Sequence, residues 1–103
     1  MTEDAPLPAL QDAVLTGAEV GALLGDVARA ATLLGHSVKG GAHHRATAAG
    51  GSLDADGALL LAGHVHGLQL RYVHEGKEWW DTLLALPDGT FRLVRIEHAP
   101  GTQ

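Results

Sequence analysis

The segment His64-Val65-His66 places two imidazoles two residues apart, and on a β-strand that spacing puts both on one face. Such a pair suits bidentate capture of zinc, copper, nickel or iron, all of which accept imidazole nitrogen. Asp81, His43 or His44 would supply a third ligand. Seven histidines in 103 residues make this the most unusual feature of the composition. The competing account is a bend set by the flanking Gly63 and Gly67, with both rings solvated or hydrogen-bonded.

A second constellation is Tyr72, Trp79, Asp81 and Arg95, with Glu97 close by. If the surrounding strands pair as their turns direct, these residues share one face of a sheet. The ordinary explanation is an Asp81–Arg95 cross-strand ion pair, worth about 0.2–1 kcal/mol when exposed. The functional alternative is a pocket between helix and sheet, aromatic-walled with one charged pair, the usual makeup of a small-ligand site. Asp81 would then act as a general base or be held ionised by Arg95. No other catalytic pattern stands out. There is no cysteine, Ser37 and Ser52 lie outside any Gly-x-Ser-x-Gly setting, and the Gly40-Gly41 and Gly50-Gly51 pairs lack a phosphate-loop lysine. Trp79 and Trp80 alternate across a strand, so they make no shared stacking platform.

The elements that must position these groups follow from the hydrophobic pattern. Thr16 with Glu19 forms a capping box, and Leu15 with Val20 forms the staple that fixes how a chain enters a helix. Val20, Leu23, Leu24, Val27, Ala31 and Leu34 keep helical spacing and Gly35 supplies a stop, which predicts one helix over 17–34. Gly17, Gly21 and Gly25 recur on another side of it. Each interior glycine costs about 1 kcal/mol relative to alanine, and close approach of a second helix is the usual compensation. Leu7, Leu10 and Val14 suggest a short helical turn before it, after a flexible arm over 1–9.

Beyond Gly40 the period changes to two. Ser52 to Gly57 is expected as a turn; counted as a calcium loop from Asp54, it would have Val65 where the twelfth-position glutamate belongs. Residues 58–74 read as strand. A straight strand of that length would exceed about 50 Å, so Gly63 or Gly67 must bend it. Glu75-Gly76 and Pro87-Asp88-Gly89 are hairpin turns, giving strands 64–74, 77–86 and 90–98. They set Tyr72 opposite Trp79, Leu70 opposite Asp81, Leu83 opposite Leu93, and Asp81 opposite Arg95.

Alternation then yields two faces. The first carries His64, His66, Leu68, Leu70, Tyr72, Trp79, Asp81, Leu83, Phe91, Leu93 and Arg95, and the helix is expected to cover it. The second is mixed, carrying Val65, Gln69, Arg71, Val73, Glu78, Trp80, Thr82, Leu84, Arg92, Val94, Ile96 and His98; Trp80, Leu84, Val94 and Ile96 make it too apolar for plain solvent, which marks an interface.

The expected fold is therefore α+β: one main amphipathic helix on a curved antiparallel meander of four or five strands, a single domain over 10–99. A helix wrapped by a curved meander is similar to cystatin-like and nuclear-transport-factor-like layouts, a likeness of architecture that assigns no site. The net charge of −5 is the wrong sign for phosphate-backbone binding, so no nucleic-acid partner is expected. No apolar run approaches the ~20 residues of a membrane span, and the acidic start lacks an export-signal pattern, which makes the cytoplasm the expected compartment. A small core without disulfides points to a second copy as the stabilising partner. The expected function is a homodimeric module that binds a small molecule or a protein; the alternative is a small metal-dependent or acid/base enzyme using His64, His66 and Asp81.

Overall fold

A computed structural model describes residues 10–40 and 52–98. Seven elements follow in chain order: β1 Leu10–Leu15, α1 Gly17–Ala30, β2 Thr32–Lys39, α2 Leu53–Leu61, β3 Gly67–His74, β4 Lys77–Ala85 and β5 Phe91–His98. The strands form one open antiparallel sheet in the order β1-β5-β4-β3-β2. The fold is α+β, with β3–β5 as its meander. The expected arm over 1–9 lies outside the described residues.

The meander has the register that its turns dictate. Glu75 and Gly76 take φ of 55° and 80°, the paired positive values of a type I′ turn, so His74 faces Lys77 and Tyr72 faces Trp79. Gly89, at φ 90°, closes the second turn, where the Leu86 N–H donates to the Thr90 carbonyl, and Asp81 faces Arg95.

The capping box at the start of α1 is present in both directions. The Glu19 N–H donates to Thr16 Oγ1 at 3.1 Å, and the Thr16 N–H donates to Glu19 Oε1 at 2.8 Å. The helix stops at Ala30, four residues short of the expected end, because 32–39 pairs with β3. Inter-strand hydrogen bonds and burial of Val38 outweigh the helical spacing that runs on to Leu34. A bulge between Leu33 and Gly35 then leaves Leu34 exposed.

β1 and β2 occupy opposite edges and run in the same direction, so α1 must carry the chain across the whole sheet. Its 14 residues make about 21 Å of helix. Four inter-strand spacings come to roughly 19 Å, so length and task agree.

Two further expectations are corrected. Leu10 to Leu15 is an edge strand beside β5, not a helical turn. Ser52 to Gly57 is the start of α2, not a turn: Ser52 Oγ accepts the Ala55 N–H at 3.0 Å, and Asp54 and Asp56 sit in the first turn, where the helix dipole favours acids. Leu53, Gly57 and Leu60 then form its buried side. The close helix approach also moves. A Cβ on Gly21 would meet nothing within 4 Å, whereas one on Gly57 would lie 2.5 Å from Leu24 Cδ1. Gly57, not the glycine row of α1, is where the helices meet tightly.

The core lies between both helices and the first sheet face. Val20, Leu24 and Val27 of α1 and Leu53 and Leu60 of α2 pack on Leu68, Leu70, Leu83, Phe91 and Leu93. Val65, expected on the second face, is buried in this core from the connection after α2. Among the described residues no element covers the second face. There Trp80 stacks on His98 at 4.9 Å between ring centres, and Arg71 lies 5.8 Å above Trp80. Ile96 is 43% exposed and Val14 62%.

Candidate functional site

Three adjacent strands bring the second constellation together. Asp81 sits on β4, the central strand of the five, and is wholly buried. Arg95, directly opposite on β5, donates from Nε to Oδ1 at 2.9 Å and from Nη2 to Oδ2 at 2.8 Å. Tyr72 on β3 donates its hydroxyl to Oδ2 at 2.9 Å. A carboxylate that would be costly to bury alone is thereby matched by a bidentate guanidinium and a phenol. Burial first, and then the Asp81 charge, pushes the Tyr72 phenol well above its ordinary range. The hydrogen bond to Asp81 raises Arg95 in turn, keeping its guanidinium charged.

Asp81 is therefore a clamp rather than an accessible base. Both oxygens are engaged and neither meets solvent, so a substrate proton has no path to them. What the clamp does is orient Arg95. Arg95 also lines a cavity of about 230 Å³ whose walls include Gln11, Tyr72, His74, Lys77 and Trp79. A neighbouring cavity of about 380 Å³ shares Tyr72, His74 and Arg95 and is walled on its far side by Leu23, Val27, Ala30 and Ala31 of α1. The two form a groove where the end of α1 passes over the sheet. His74 fixes that passage, its Nδ1 bonding to the Ala30 carbonyl at 3.3 Å. Tyr72, Trp79, Asp81 and Arg95 are thus brought to one place, with Asp81 beneath the surface that the other three present.

His64 and His66 are elsewhere. They lie on the bend between α2 and β3, not on a strand, so the alternation that would aim both rings one way is absent. Both are exposed; His66 lies over Gly40, at the opposite end of β3 from Tyr72 and His74. Asp81 cannot join them, being sealed in the core. Among the described residues no group of three or more histidines, cysteines or acids is arranged to hold a metal ion. His43 and His44 fall outside the described residues.

A third polar pair was not anticipated. His36 Nδ1 meets Asp56 Oδ2 at 2.5 Å between β2 and α2, with both side chains nearly buried. Recognising it required knowing that 32–39 is a strand and 53–61 a helix, and both segments read otherwise in the sequence. The only local hint was Asp56 one helical turn before Leu60, on the side that Leu53 and Gly57 also occupy.

No known family, curated protein or solved structure matches this chain, so the site is read from its own geometry. Among the described residues no helix is long and apolar enough to cross a membrane.

Proposed function

We propose that this domain is a non-catalytic binding module that takes a small ligand in the Trp79–Arg95 groove and pairs with a second copy through its open sheet face. The observation that carries the binding reading is the clamp: both oxygens of the buried Asp81 are engaged by Tyr72 and Arg95. Such an arrangement pre-orients a donor for recognition and withholds Asp81 from proton transfer. Support for pairing comes from Val94, Ile96 and Trp80, apolar neighbours on β5 and β4 of the open face, with Val14 beyond the Asp12–Arg92 ion pair.

Amide NMR of the intact chain during titration with a fragment library tests the groove. Shifts confined to Tyr72, His74, Lys77, Trp79 and Arg95 are expected; fragments that move only residues elsewhere would remove the reading. The enzymatic alternative draws on His36–Asp56, an imidazole oriented by a carboxylate as in general-base pairs. Turnover of a panel of chromogenic esters by the wild type, lost in His36→Gln, would favour it.

A further inference from the structure

We infer that the ligand of this groove is a small organic monocarboxylate with a flat apolar body, a conclusion that rests on the binding reading above and names its ligand class. A guanidinium carries five N–H donors, and Asp81 takes one from Nε and one from Nη2. The three that remain include the fork between Nη1 and Nη2, and among the described residues no acceptor meets it. That fork has the spacing of a carboxylate's two oxygens. Arg95 is held in place by Asp81, its side chain is 24% exposed and it lines the groove, so its guanidinium is fixed in advance of any ligand.

Charge completes the selection. Asp81 cancels the charge of Arg95, which alone would leave the groove a donor site of no net sign. Lys77 lines the same cavity and makes no ion pair among the described residues, so it adds a positive charge that Asp81 does not cancel. Of the two acids in the walls, Asp26 pairs with Arg29, and the Glu75 side chain stands 83% exposed, where solvent screens it. Glu97, opposite Trp79 on the same sheet face, puts a negative charge on one side and disfavours a second carboxylate. The Trp79 ring offers a flat wall, and Leu23 and Val27 continue an apolar surface away from Arg95. About 230 Å³ beside the guanidinium suits a single ring.

The test uses the full chain, with benzoate, phthalate, benzamide and benzylamine titrated in turn while the Trp79 indole and Arg95 Nε–H resonances are followed. Benzoate should shift both and bind about tenfold tighter than benzamide, the difference that one charge-assisted contact makes. Phthalate should bind more weakly than benzoate. Lys77→Gln, an exposed change that leaves the clamp intact, should weaken benzoate several-fold and leave benzamide unchanged. Benzamide or benzylamine binding as tightly as benzoate would overturn the carboxylate assignment while leaving the groove a binding site. No shift at Trp79 with any of the four would sink the groove itself.

Discussion

Arg95 grips both oxygens of Asp81 from the neighbouring strand, at 2.9 and 2.8 Å, across a register set by a turn six residues away from either. The pair is more than the surface salt bridge its residue types suggest, because Asp81 is completely buried. Breaking such a pair from one side leaves a charge without its partner. Asp81→Ala should therefore cost about 3–5 kcal/mol in chemical denaturation, whereas Asp81→Leu combined with Arg95→Met should cost far less. Equal losses in the two variants would show that packing, not charge, sets the price.

The two helices supply a paired glycine experiment. Gly21 has open space around it on an exposed side of α1, so Gly21→Ala should add about 0.5–1 kcal/mol through helix propensity alone. Gly57 has Leu24 Cδ1 where its Cβ would go, and Leu24 is itself buried. Overpacking of about 1–3 kcal/mol then exceeds the propensity gain of ~1 kcal/mol, so Gly57→Ala should destabilise. Thermal denaturation resolves both, since 1 kcal/mol moves the midpoint by roughly 4–8 °C in a domain of this size. A rise for both variants would mean that Leu24 relaxes freely and the helices are not tightly apposed.

The difference between what could and could not be read from the residues is a difference between local and distant causes. Glu75-Gly76 and Pro87-Asp88-Gly89 carry their own geometry, so the register of β3, β4 and β5 followed from a few adjacent residues, and the Tyr72–Asp81–Arg95 grouping followed from the register. β1 and β2 have no such signal. Leu10 to Leu15 becomes a strand only because β5, some 80 residues later in the chain, offers it an edge. Thr32 to Lys39 continues the apolar spacing of α1, and only pairing with β3 makes it extended. Ser52-Leu53-Asp54 opens a helix as readily as a turn, because serine and aspartate serve both by bonding nearby N–H groups. His64-Val65-His66 reads the same in sequence whether the chain is strand or bend, and only a strand would alternate, so spacing alone could not place those rings.

Self-association is tested best at Ile96. Trp80 is tied into its own sheet by His98, Arg71 and a 2.8 Å hydrogen bond from Nε1 to Glu78, so changing it would disturb the monomer as well. Ile96 is 43% exposed beside Val94 and has no such ties. Ile96→Asp should leave the folded monomer intact and shift sedimentation from dimer to monomer at micromolar concentration. A wild type that sediments as a monomer throughout that range would remove the pairing proposal.

Tyr72 is the only tyrosine in the chain, which makes its ionisation directly visible by absorbance. Its ordinary value is 10.0, and burial together with the Asp81 charge raises it in the folded state. In the unfolded chain the phenol ionises near that ordinary value. Between the two, the unfolded state loses a proton that the folded state keeps, so the contribution of Tyr72 to stability is full below pH 10 and declines as the pH rises further. Native protein titrated past that point should show no phenolate band until the fold itself gives way, with absorbance and circular dichroism changing together. Tyr72→Phe should flatten the alkaline decline in stability, since it removes the titrating proton and keeps the ring. A phenolate band that develops at its ordinary pH, with the circular dichroism unchanged, would mean that solvent reaches the hydroxyl and that the Asp81 clamp is open.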